Sequence, residues 1–158
     1  DWGAELRRPF VSFDDLDQDG DPEVVIEGRV HNGTMYNAVV YHYFYMAPDL
    51  SLRQILARET RLFDLYTERE GGIIERNLKK IGPGHLRMDV SLVFPEAGKP
   101  RRPLGDVILE SPGRGRPFKI KERHVVEKKY DSFLVTGMDT DEKDWENVFL
   151  KEGYHFYY

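Results

Sequence analysis

Short runs of apolar, β-branched and aromatic residues alternate along this chain with clusters of Gly, Pro, Asp and Asn, the rhythm of strands and turns. Residues 9–13 and 23–30 read as two strands flanking an acidic turn, with His31, Asn32 and Gly33 making the next turn. Residues 34–46, T-M-Y-N-A-V-V-Y-H-Y-F-Y-M, then form a long strand. One face shows Tyr36, Ala38, Val40, His42, Phe44 and Met46; the other shows Val39, Tyr41, Tyr43 and Tyr45. Both faces are apolar or aromatic, so the pattern predicts a central strand covered on both sides. Residues 73–78 and 86–94 predict a hairpin across Gly82, Pro83 and Gly84, with Leu86, Met88, Val90, Leu92 and Phe94 in β alternation. Residues 118–127 and 132–136 predict another hairpin, and segments 145–150 and 154–158 close the chain. Residues 50–66 break the rhythm. Leu52, Ile55, Leu56, Glu59, Leu62, Phe63 and Tyr66 fall at helical spacing with Asp49 as a cap, which predicts a helix over about 52–60.

Together these patterns predict one mainly β domain over residues 1–158, an antiparallel sheet that is sandwich-like or partial propeller-like, with one or two short helices. Its length of 158 residues is enough for a real core. Basic Pro/Gly loops are expected at 95–103 and 111–117. The chain has no cysteine, which excludes a disulfide, a thiolate metal site or a thiol nucleophile. No run of about eighteen apolar residues is present, so no transmembrane segment is expected.

The net charge of −5 hides an asymmetry. Residues 1–27 hold nine acids against two bases, residues 99–129 ten bases against four acids, and residues 130–158 seven acids against two bases. The basic segment lacks a nucleic-acid motif and the whole chain is acidic, so pairing within the molecule or a solvated edge is expected in place of a nucleic-acid partner.

The chemistry concentrates in residues 15–23, D-L-D-Q-D-G-D-P-E. Calcium takes six to eight oxygens at roughly 2.3–2.6 Å with tolerant geometry, so one sharply turned loop can supply most of them. Asp15, Asp17 and Asp19 would give side-chain oxygens, Asp21 its carbonyl and Glu23 a further carboxylate, with Gly20 turning the chain at positive φ. An EF-hand is excluded, because its twelfth position needs a bidentate glutamate and here holds Ile26. Pro22 and the β-branched run beyond it lead into a strand. The alternative is an acidic turn without an ion. Against it, like charges within several Å repel by about 1–4 kcal/mol per pair at effective dielectrics between water and a protein surface.

Residues 13–28, F-D-D-L-D-Q-D-G-D-P-E-V-V-I-E-G, resemble the calcium-loop repeat of FG-GAP/VCBS proteins, the integrin-α-type propeller repeat. Two later pieces, F-K-I-K-E-R-H-V-V-E-K-K-Y and S-F-L-V-T-G, are similar to the tails of secreted bacterial proteins carrying one such loop. The resemblance implies one calcium ion and a secreted habit, extracellular or periplasmic, without implying a reaction. Calcium is abundant outside the cytoplasm, and a chain beginning at Asp1 fits either a cleaved leader or a trimmed N-terminus. Asp139, Asp141, Asp144, Glu146 and Val148 partly repeat the loop but lack its glycine; a degenerate copy and an acidic helix start both fit them. Asn32, Gly33 and Thr34 form a glycosylation sequon.

Catalytic signatures are not evident. His31, His42, His85, His124 and His155 show no H-x-x-x-H spacing, and neither a G-x-S-x-G elbow nor a P-loop occurs. Tyr41, Tyr43, Tyr45, Tyr157 and Tyr158 are candidate interface residues for glycans or proteins, with core packing as their other reading. The expectation is therefore a secreted or periplasmic calcium-binding domain that is not an enzyme. It would bind or scaffold as an accessory subunit of an extracellular assembly, through a protein partner or self-association. The alternatives are a glycan-binding module using exposed tyrosines, or an unrecognised hydrolase.

Overall fold

Strand alternation carries most of the architecture in the computed structural model, which describes residues 10–32, 36–64, 72–94, 98–135 and 138–139. Eight strands run as an antiparallel meander. They are β1 (Phe10–Asp14), β2 (Glu23–Asn32), β3 (Tyr36–Met46), β4 (Leu52–Asp64), β5 (Ile73–Gly82), β6 (His85–Val93), β7 (Arg102–Glu110) and β8 (Lys119–Val125). A 3₁₀ turn (Lys128–Tyr130) then runs into a short helix, α1 (Asp131–Val135), and β9 (Met138–Asp139) follows. No helix among the described residues is long and apolar enough to cross a membrane.

The expected mainly β fold is what forms, as two four-stranded antiparallel sheets, β1–β4 and β5–β8. They join where β4 meets β5; among the described residues Arg61 lies opposite Glu75 and Leu62 opposite Ile74. Both sheets contribute to one core: Val25, Val40, Ile55 and Ala57 from the first, Leu86, Met88, Val90, Leu92, Val107 and Leu109 from the second. The predicted pairing of β1 with β2 and of β5 with β6 is present. β3 is covered on both faces from Ala38 to Phe44, as its composition predicts, with Tyr43 in the shared core and Phe44 packed with Val24 and Ile26 behind it.

Three local expectations are corrected. Residues 52–60 are not a helix; they belong to β4, which pairs with β3 from Leu52 opposite Met46 to Asp64 opposite Tyr36. The ladder skips Ile55 and Thr60, so β4 carries an extra residue at two bulges. Each bulge shifts the alternation by one, and four consecutive residues, Gln54 to Ala57, are buried. That broken period is what imitates a helix. Residues 132–136 do not return as a hairpin partner for β8, which pairs with β7 instead. The chain after β8 turns helical and presses Tyr130 and Leu134 into the core. Finally, the loop expected at 95–103 gives way at Arg102 to β7, a strand disguised by Pro103 and Gly105. Gly105 has φ +152°, and a Cβ there would lie 2.2 Å from the His124 carbonyl oxygen, so only glycine lets β8 approach.

Beyond its two pairs with β5, β4 finds other partners along the same side. Ala57 and Arg58 pair with β9, and the Ile55 carbonyl accepts the Phe118 N–H at 3.0 Å. Arg76 on β5, fully buried, bridges this seam. Its Nη2 donates to the Phe133 carbonyl at 2.7 Å and its Nη1 lies 3.6 Å from the Glu59 carboxylate. Arg58 donates to the Arg76 carbonyl and to the Tyr43 hydroxyl. Removing one member of a buried ion pair strands the other charge, at a typical cost of about 3–5 kcal/mol, whereas an apolar replacement of the whole pair is often neutral. Arg76→Ala should therefore lose about 3–5 kcal/mol in urea unfolding, and Arg76→Met with Glu59→Leu should recover most of it.

Candidate metal centre

The loop between β1 and β2 owes its shape to its own backbone. The Asp15 carboxylate accepts the N–H groups of Asp19 at 3.0 Å and Gly20 at 3.1 Å. Asp17 accepts the Asp19 N–H at 3.2 Å, and Asp19 accepts the Asp21 N–H at 2.9 Å. Gln18 at φ +60° and Gly20 at φ +97° provide the left-handed turns that wind the chain around these acceptors. Leu16 anchors the loop by putting its side chain in the shared core while its N–H donates to Glu23 Oε2 at 2.7 Å.

Asp15, Asp17 and Asp19 each present a carboxylate oxygen, all within 4.8 Å of one another. Asp21 and Glu23 lie outside this group. The Asp21 carboxylate turns to Arg114, 2.6 Å from Nη1, while Glu23 is 3 % exposed and occupies the base of the loop. Burial pushes the Glu23 carboxyl up to about 7, with the Asp17 charge adding to the effect. Burial also raises Asp17, aided by the charge of Asp19. Asp19 goes the other way, held low by its hydrogen bond from Arg114 Nε at 2.7 Å. The site is thus an all-oxygen cluster with excess negative charge, half of it desolvated.

The loop is fastened to the second sheet. Gly84, in the β5–β6 turn, donates its N–H to the Asp17 carbonyl at 2.6 Å, and Lys80 forms an ion pair with Asp14. Arg114 comes from the β7–β8 loop, one of the two predicted basic loops. That loop is seated on the first sheet, because Gly115, at φ +66°, lies under the Tyr45 ring, where a Cβ would come within 2.6 Å of Cδ1. Charge asymmetry left pairing within the molecule and a solvated edge both open for the basic segment, and neither Arg114 nor the glycines could be singled out from spacing alone.

The remaining candidates have structural surroundings. Tyr43 is buried and Tyr41 and Tyr45 are half-buried against the core, with the Arg58 guanidinium 4.7 Å from the Tyr41 ring centre. Tyr157, Tyr158, His155, the Asp141–Glu146 acids, residues 145–150 and Gly33–Thr34 of the sequon lie outside the described residues. His42 is hydrogen-bonded to Gln54 at 2.8 Å and His85 lies 3.2 Å from Glu110. On the outer face of the second sheet, ion pairs step from Lys79 through Asp89 and Arg87 to Asp106, which lies 3.2 Å from His124 Nδ1, so that polar contacts cross β5 to β8. Within the basic segment 99–129, Arg101 pairs with Glu75, Arg102 with Glu127, Arg114 with Asp19 and Lys121 with Glu110, so much of its charge is matched inside the molecule.

Two substitutions probe the site. A carboxyl raised from 4.5 to about 7 leaves the folded state binding more protons than the unfolded one, so Glu23 costs stability as pH rises through that window. In chelator, Glu23→Gln should match the parent near pH 4 and exceed it at pH 8 by on the order of 3 kcal/mol in urea unfolding. Gly115→Ala should lower the melting temperature, through both the left-handed backbone and the Tyr45 ring.

Compared with known proteins, the chain matches no family model, no curated protein and no solved structure.

Proposed function

We propose that the β1–β2 loop binds one calcium ion, and that the ion's task is to lock the first sheet onto the second in a non-catalytic binding or scaffolding domain. The observation that carries this reading is the convergence of the Asp15, Asp17 and Asp19 oxygens in a loop tied to both sheets. A hard cation suits an all-oxygen set, and calcium tolerates its irregular spacing better than magnesium, which keeps octahedral geometry and several waters. The Asp21 carbonyl and the Glu23 carboxylate are the further ligands in this reading. Binding a cation would favour the ionised forms that burial penalises at Asp17 and Glu23.

The FG-GAP/VCBS resemblance of residues 13–28 supports the choice of calcium and a secreted or periplasmic setting, where millimolar calcium suits a structural site of modest affinity. A role as accessory subunit of an extracellular assembly agrees with a fold whose tyrosine-rich strand is spent on packing rather than on a glycan platform.

Calcium at a thousand times its dissociation constant should stabilise the fold by about 4 kcal/mol if it ignores the unfolded chain. Thermal unfolding should therefore shift upward with calcium and fall with chelator. Asp17→Asn combined with Asp19→Asn should abolish the shift. Superimposable curves for the parent in calcium and chelator would refute the assignment.

A further inference from the structure

The meander leaves two open edges, and they are unlike each other. Among the described residues, β1 pairs only with β2, and β8 only with β7. An edge strand presents a row of unpaired backbone groups that native proteins guard with charge, brevity or cover. β1 is short and apolar, and no described residue covers it: Phe10, Val11 and Phe13 are 64 %, 51 % and 66 % exposed. β8 is exposed along its whole length, with Lys119, Lys121 and Arg123 among Ile120 and Val125.

The charges around the edges select which pairings are tolerated. Residues 10–32, the β1–β2 hairpin, carry seven acids and one base, and the pairing of Asp14 with Lys80 and of Asp19 and Asp21 with Arg114 leaves it net negative, whereas residues 119–129 carry five bases and two acids. Two β1 edges brought together would oppose acidic hairpins, and two β8 edges would oppose lysine and arginine. Only β1 against β8 joins opposite signs, and the five residues of β1 fit within the seven of β8.

We propose that copies of this chain associate head to tail, the β1 edge of one copy adding to the β8 edge of the next to continue the sheet. Each copy owns one edge of each kind, so the contact is heterologous and generates rings or open chains instead of a closed two-fold dimer. Phe10, Val11 and Phe13 would be covered against Ile120 and Val125, with the acidic hairpin set beside Lys119 and Lys121. Five of the hairpin's seven acids lie in the carboxylate loop, so calcium would lower its negative charge without reversing it, and the association is tested at one fixed calcium concentration.

Sedimentation velocity of the whole chain over a concentration series tests it, with calcium held constant. The parent should associate beyond a dimer at low salt and about tenfold more weakly at half-molar salt, where the Debye length falls to a few Å. Phe13→Lys, and separately Lys119→Glu with Lys121→Glu, change exposed side chains and should each sediment as a monomer with a parental melting temperature. Mixing the two charge-altered proteins should restore association. A parent that stays monomeric throughout, an altered protein that still associates alone, or a mixture that stays monomeric overturns the proposal.

Discussion

The docking of the β1–β2 loop against the second sheet is the constraint on which the rest depends. Among the described residues the two sheets share two residue pairs along their seam, a short ladder to hold one over the other. Leu16 inserts from the loop into the common core, Gly84 reaches the Asp17 carbonyl from the β5–β6 turn, and Arg114 grips Asp19 and Asp21 from the β7–β8 loop. The gripping loop is itself held to the first sheet by Tyr45 over Gly115 and by the Phe118 to Ile55 hydrogen bond. Each sheet thus lends a loop to the other. Burying Leu16 and Phe118 supplies apolar stabilisation of roughly 1.5–3 kcal/mol per side chain, while the polar contacts set register.

Electrostatics explains why this arrangement leaves room for a cation. Arg114 is half exposed and lies to one side, so it relieves Asp19 and Asp21 but leaves Asp17 and Glu23, which are shut away from water, with their pKa values raised. A compact divalent charge between Asp15, Asp17 and Asp19 would address the part of the loop that a bulky guanidinium does not. Elsewhere the molecule balances charge in open solvent, through the ladder of exposed ion pairs across the second sheet. Individually such exposed pairs contribute little to stability.

How much was legible beforehand depended on how regular each element is. β5 and β6 keep strict alternation around a Gly-Pro-Gly turn, so their pattern and their register agree. The acidic loop stands out because five acids and a glycine sit at fixed offsets, and three of the five, Asp15, Asp17 and Asp19, bring carboxylate oxygens together. β4 was misread because its bulges at Ile55 and Thr60 mix the two faces, and β7 was missed because Pro103 and Gly105 look like loop residues. Gly105 is tolerated because the backbone of β8 passes close against it, a fact of tertiary structure. The same holds for Arg114: its charge was visible, but its partner lies 95 residues away.

Amide hydrogen exchange with and without calcium tests the central claim most directly, because it reads the ion's effect at groups that cannot ligate it. If the ion locks the two sheets together, the Gly84 and Phe118 amides, one in the second sheet's β5–β6 turn and one on its β7–β8 loop, should exchange more slowly in calcium, alongside Leu16 and Asp19 of the loop itself. Protection confined to residues 15–23, or exchange that ignores calcium altogether, would contradict it.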